Sequence, residues 1–227
     1  MNPLDLVKLT ALMKLTSGRP QIMVGLIDGP VAINHSDLAG ENIRWVSGST
    51  GGTCAQASGV ACMHGTFVAG ILSAKRNSIA PAVCPNCTLL VRPIFTETTP
   101  GMPSATHEEL ATAIVETIEA GARVINMSVA LAQPSSTGQR ELEDALDYAA
   151  SRGVVLVAAA GNQGTLGSTT ITRHPWIISV VAYDLRGRPM SQSNLGKSIG
   201  RRGLGAPGEN ITSLGAEGKP LTFSGTS

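Results

Sequence analysis

Four polar residues stand at the edges of four apolar segments. Asp28 closes the run from Gln21 to Ile27, and His64 opens His-Gly-Thr-Phe-Val-Ala-Gly. Asn162 follows Val-Ala-Ala-Ala-Gly, and Ser227 stands last, in Ser-Gly-Thr-Ser after Leu221 and Phe223. An acid, a base, an amide and a hydroxyl are the parts of a nucleophilic hydrolase site. A serine hydroxyl is a poor nucleophile at neutral pH and needs a base to take its proton as it attacks. Imidazole titrates near neutrality, so it can accept that proton and return it to a leaving amine. A carboxylate would hold the other ring nitrogen, and an amide N–H would donate to the oxyanion formed by the attack. Taken singly, each residue has a plainer reading: a strand-end acid, a helix-start histidine, a Gly-Asn turn, a loop serine. His35, His107 and His174 have no acid or nucleophile motif around them.

The surrounding pattern predicts the elements that must position these residues. Asn2-Pro3 reads as a helix cap followed by proline in the first turn, with Leu4, Val7, Ala11 and Leu15 on one face and Gly18 as the stop. Gln21 to Ile27 is a continuous apolar run, fit for a strand buried on both faces. Trp45 to Met63 reads as a loop rich in Gly, Ser and Thr, and His64 as the first turn of the helix that follows. Further strands are expected over 88–95, 123–128, 154–160 and 176–182, and helices over 106–120 and 139–152. The stretch 190–223 lacks helical periodicity and is expected to hold short strands and loops. Alternating strands and helices make a three-layer α/β fold, with a mostly parallel sheet between helices. Asp28 then falls at the carboxyl end of a central strand, where open sheets of this kind place their sites.

These segments carry a resemblance. Leu26-Ile-Asp28, His35-Ser-Asp-Leu38, the block opening at His64-Gly-Thr66, Val124-Ile-Asn-Met-Ser128, Ala160-Gly-Asn162, Gly205-Ala-Pro-Gly208 and Ser224-Gly-Thr-Ser227 occur in order over nearly the whole chain. In them the chain resembles the subtilisin-like serine proteases. Within that family it is most similar to the cyanobactin-maturation proteases, which trim leaders from ribosomal precursor peptides. The grounds are Asp28-Gly-Pro-Val31, Phe67 where a second histidine is usual, and Cys84-Pro-Asn-Cys87.

The resemblance implies a catalytic triad of Asp28, His64 and Ser227, with the Asn162 side chain and the Ser227 backbone N–H as oxyanion donors. It implies a peptide substrate added as a strand along Ser128, Val129 and Ala130, with Ala158 to Gly161, including Ala160, at the base of the first pocket. Ala130 stands where the family usually has glycine, so broad specificity is not implied. The family's calcium loop is not evident, since Asn77-Ser78 runs almost directly into Ala80-Pro81, and no metal or other cofactor is expected. The implied partner is a precursor peptide.

Family members continue past the serine with a small apolar helix. The chain is therefore expected to be a single protease domain cut at its own active site, or truncated there, and inactive as it stands. Its remainder would be held as a second fragment. Two other classes stand beside it: a catalytically dead subtilase used as a peptide-binding scaffold, and a nucleotide-binding α/β domain, for which no phosphate loop is present. A general intracellular degradative protease is a third alternative.

The 227 residues suffice for one domain with a substantial core. A formal net charge of +1 gives no bulk attraction to nucleic acid or membrane. The longest apolar run, Val154 to Ala160, is far short of the roughly 20 residues that span a bilayer. Lys8 and Lys14 interrupt the apolar N-terminus, which predicts a cytoplasmic protein without a signal peptide. The four cysteines form two local pairs, Cys54 with Cys62 and Cys84 with Cys87. Two disulfides, free or mixed thiols, and a four-thiolate zinc site all remain open on the residues alone.

Overall fold

A computed structural model describes residues 2–38, 42–46, 54, 56–95, 105–129 and 139–227. In chain order the elements are α1 (Pro3–Leu6), α2 (Leu9–Leu15), β1 (Met23–Asp28), β2 (Ile43–Trp45), α3 (Val60–Ser73), β3 (Thr88–Pro93), α4 (His107–Glu119) and β4 (Val124–Met127). They continue with α5 (Gln139–Ser151), β5 (Val155–Ala159), α6 (Thr170–Arg173), β6 (Ile177–Tyr183), α7 (Lys197–Arg202), β7 (Leu204–Pro207), β8 (Ile211–Leu214) and β9 (Pro220–Phe223). Seven strands form one sheet in the order β2-β3-β1-β4-β5-β6-β7, every neighbouring pair parallel. β8 and β9 form a separate antiparallel hairpin.

Alternation along β1 sorts the core into two layers. Val24 and Leu26 point into a cluster with Phe67, Val68 and Ala69 of α3. Ile27 points into the opposite cluster, with Leu110 and Ile114 of α4 and Leu142 and Leu146 of α5. Successive side chains in a strand face opposite sides, so Asp28 falls on the α3 face with Val24 and Leu26. Full burial of each large aliphatic chain, such as Leu26 and Ile27, contributes about 1.5–3 kcal/mol. α4 begins on a capping box, in which the Thr106 hydroxyl accepts from the Glu109 N–H and the Glu109 carboxylate accepts from the Thr106 N–H. The chain leaves β1 toward β3 on one side and returns to β4 on the other. Asp28 therefore sits at the topological switch point.

Four local expectations are corrected. The single N-terminal helix is two, because Lys8 takes a left-handed conformation between α1 and α2. In one straight helix Leu4 and Leu9 would point about 140° apart, whereas the break lets both line one cavity with Val7. α3 begins at Val60, so His64 lies in its second turn and not its first. The apolar residues Val60 to Met63 extend the helix backward to Gly59, which serves as its N-cap. The stretch 190–223 does hold short strands, but it also holds α7, whose six residues are too few to show a period. The very short β2 and α6 were not anticipated either. Among the described residues no helix is long and apolar enough to cross a membrane.

Candidate active site

Asp28 and His64 meet because two backbones touch. A side-chain carbon on Gly29 would collide with the carbonyl of Ala61, and one on Gly65 would collide with the carbonyl of Gly29. Only glycine at both positions lets the end of β1 lie directly against α3. The Thr66 hydroxyl, fully buried, accepts from the Ala32 N–H at 2.9 Å and fixes the same contact one turn along the loop. With the backbones so placed, His64 Nδ1 lies 2.7 Å from Asp28 Oδ1. The Gly29 N–H donates to that oxygen as well, at 2.5 Å.

Asp28 is 1% exposed and half-buried His64 keeps access to solvent. Burial by itself pulls the His64 pKa down. The charge of Asp28 and its hydrogen bond act the other way and together prevail, so the imidazole is more basic than an ordinary histidine. Among the described residues Asp28 Oδ2 is buried with no hydrogen-bond partner.

The serine arrives on the β8–β9 hairpin. Phe223 at the end of β9 packs on Phe67 of α3 with ring centroids 4.9 Å apart, and the Ser213 hydroxyl of β8 donates to the Phe67 carbonyl at 2.7 Å. Phe67 lies three residues after His64, so one helix carries the histidine and seats the hairpin that leads to Ser227. Beyond the hairpin the chain is tied to the loop after β5. The Thr226 N–H donates to Asn162 Oδ1 at 3.0 Å, and the Gly161 N–H donates to the Thr226 hydroxyl at 3.2 Å. Because Oδ1 of Asn162 is occupied in this way, its Nδ2 is the atom left to donate.

Asp28, His64, Asn162 and Ser227 all line one cavity of about 930 Å³, together with the apolar side chains of Phe67, Phe95 and Phe223. Ser227 also borders a smaller cavity of about 160 Å³ against Ser128, Ala158 and Ala159. The four residues singled out by type and spacing are thus brought to one place.

The other candidates divide. Ser128 and Val129 line the large cavity. Ala130 lies outside the described residues. Ala160 and Gly161 line neither cavity. Ala160 turns into a small buried cluster with Val181 and Ile199, and Gly161 turns the chain at a φ of 101° while its N–H is held by Thr226. Of the run Ala158 to Gly161 expected at the base of the first pocket, only Ala158 and Ala159 border the smaller cavity.

Of the two cysteine pairs, Cys54–Cys62 is a disulfide with its Cα atoms 5.4 Å apart, joining the loop before α3 to that helix's first turn. Cys84 and Cys87 are thiols, which corrects the reading of a second disulfide. Burial, reinforced by Cys87 and only partly offset by Arg76, pushes the Cys84 thiol up to about 12. It therefore stays protonated and unreactive. With Cys54 and Cys62 joined to each other, the four thiolates of a zinc site are not available. Among the described residues no group of three or more His, Cys, Asp or Glu could hold a metal ion. The sequence reading did not pick out Gly29, Gly65 or Thr226 as structural partners, although all three flank the chosen residues.

An aspartate–histidine pair at the switch point of a parallel sheet, facing a serine across one cavity, defines a class of serine hydrolase. Residues 19–227 match the model of the subtilase family, and the chain belongs to that family, the subtilisin-like serine proteases. Subtilisin DY of Bacillus licheniformis is 32% identical over 91% of this chain and 71% of its own length. A solved mutant of the protease domain of PatA is 32% identical, with a TM-score of 0.85 over 92% of this chain and 75% of that one. The prenylagaramide maturation protease PagA is 29% identical, with a TM-score of 0.84 over 96% of this chain and 74% of that one.

Proposed function

We propose that Asp28, His64 and Ser227 form the catalytic triad of a serine endopeptidase, and that its substrate is a ribosomal precursor peptide from which it removes the N-terminal leader. The observation that carries the triad is the 2.7 Å contact between His64 Nδ1 and Asp28 Oδ1 on the wall of a cavity that Ser227 shares. In this reading Asp28 accepts the Nδ1 hydrogen, which leaves Nε2 free as the base. His64 takes the Ser227 Oγ proton as Oγ attacks the scissile carbonyl, and then passes it to the departing amine. Asn162 Nδ2 and the Ser227 N–H donate to the carbonyl oxygen as it gains charge. Water then attacks the acyl-enzyme with His64 again as the base, which releases the acid and restores the serine. The leader-removing role is supported by the similarity to PatA and PagA.

The test has two arms. In the intact enzyme, with the chain continuing past Ser227, a fluorophosphonate probe should label Ser227 and should not label Ser227→Ala; labelling of neither would leave a binding scaffold. Incubation with a candidate precursor peptide, followed by mass spectrometry, should give one cut at the leader junction. Cleavage scattered through unrelated denatured proteins, with the precursor treated no differently, would favour a general degradative protease.

A further inference from the structure

The loop that carries Asn162 has almost nothing packed on it. Every residue from Asn162 to Ser168 is exposed. A loop without buried contacts is normally mobile, yet an oxyanion donor must be held in place before the charge develops. The loop is held by a residue that lies about thirty positions further along the chain.

Asn194 Oδ1 accepts three hydrogen bonds from this loop, from the Gln163 N–H at 3.0 Å, the Thr165 N–H at 3.0 Å and the Thr165 hydroxyl at 3.1 Å. Its Nδ2 donates to Gln163 Oε1 at 2.6 Å. Its backbone N–H donates to the Gly161 carbonyl at 2.9 Å. The two residues flanking Asn162 are therefore both bonded to Asn194. The fit is close, since a side-chain carbon on Gly161 would run into Asn194 Nδ2. The same segment also reaches the serine side: the Gln192 side-chain amide donates to the Ser224 carbonyl at 3.1 Å, and the Gly164 N–H donates to the Gln192 carbonyl at 2.8 Å.

We propose that Asn194 is a positioning residue that fixes the Asn162 amide for oxyanion stabilisation, acting through the loop 161–165 and touching no reacting atom. This rests on the reading of Asn162 as an oxyanion donor. Backbone hydrogen bonds to Gln192 and Leu195 hold the outer part of the loop, and the Asn194 side chain holds the part next to Asn162. A buried hydrophobic anchor at this place would need the loop folded inward, away from the cavity it lines. The effect falls on kcat, because a donor displaced by a fraction of an ångström loses its bond to the transition state before it loses any to the substrate.

The experiment is a double-mutant cycle of Asn162→Ala and Asn194→Ala, with kcat and KM measured on a chromogenic peptide anilide. Asn194→Ala alone should lower kcat by roughly tenfold, up to the about 10²-fold that an ångström-scale misplacement costs, with KM nearly unchanged. In the Asn162→Ala background the same substitution should cost nothing further, because the group it positions is gone. Asn194→Asp keeps the accepting oxygen and should recover most of the lost kcat. Equal losses in both backgrounds would overturn the inference alone. Failure of Asn162→Ala to lower kcat at all would overturn the oxyanion reading, and the inference with it. If Asn194→Ala does not fold, Thr165→Val removes one donor to the same oxygen and takes its place in the cycle, with a smaller loss that again disappears without Asn162.

Discussion

The two halves of the site are built from different materials. The Asp28–His64 half is a junction of backbone against backbone, in which Gly29 and Gly65 close the gap, Thr66 is fully buried and Asp28 is almost wholly so. The Asn162–Ser227 half consists of an exposed loop and the segment after β9, joined by hydrogen bonds through Thr226, with the loop itself braced by Asn194. The first half inherits its geometry from the core, so disturbing it disturbs the fold. The second is positioned by a few polar atoms and can be altered with the core intact. A general base and its acid partner must keep a short, desolvated contact, which close packing provides. An oxyanion donor must stand at the rim where substrate enters, which forbids that packing.

The contrast makes graded predictions. The largest effect belongs to His64→Ala, which should lower kcat on the order of 10⁶-fold and, by removing the buried Asp28 carboxylate's partner, should also lower the melting temperature. A loss of activity with no change in melting temperature would break the claim that catalytic and structural roles coincide in this half. Next comes Asn162→Ala, which should lower kcat about 10²–10³-fold, the loss seen when subtilisin's own oxyanion asparagine is removed. Its KM and melting temperature should stay nearly constant. An increase in KM at constant kcat would instead make Asn162 a substrate-binding residue.

Gly65→Ala sharpens the comparison from the side of packing. The added methyl meets the Gly29 carbonyl, a backbone atom that cannot swing away. The expected cost is about 1–3 kcal/mol of stability, as for other overpacked cores, read from denaturant unfolding. An alanine at Gly200, which has open space and an ordinary helical backbone in α7, should not push against any neighbour.

The smallest effect is a displacement along the pH axis. His64 is more basic than an ordinary imidazole. The acid limb of a kcat/KM profile should therefore have its midpoint above about 6.5, with activity rising as His64 loses its proton. A histidine whose folded pKa is raised contributes stability fully below its unfolded pKa and loses that contribution as pH rises through the folded value. Stability from this pair should accordingly decline over the same interval in which activity appears. A midpoint below 6.5 would mean that burial outweighs Asp28.

The sequence by itself determined a good deal. The apolar run before Asp28, the helical spacing after His64 and the alternation of strands and helices made the parallel sheet legible, because period and burial are local properties of the chain. Residue type and order, together with the family resemblance, also singled out Asp28, His64, Asn162 and Ser227, which the fold brings to one cavity. Short elements escaped, because three residues of β2 or six of α7 show no period. Helix ends escaped for a related reason: nothing local distinguishes Val60 in a loop from Val60 in a first turn.

Only the tertiary structure decided what depends on two distant segments touching. The family resemblance assigns Ala160 and Gly161 to a pocket, yet the chain turns at Gly161 and buries Ala160 elsewhere. Cys84 and Cys87 have a spacing that suits a bridge, yet the fold keeps both as free thiols. Asn194 carried no signal at all, being one polar residue in a polar stretch. Its importance comes from three hydrogen bonds to Gln163 and Thr165, and such bonds between remote segments exist only once the sheet has set the two loops side by side.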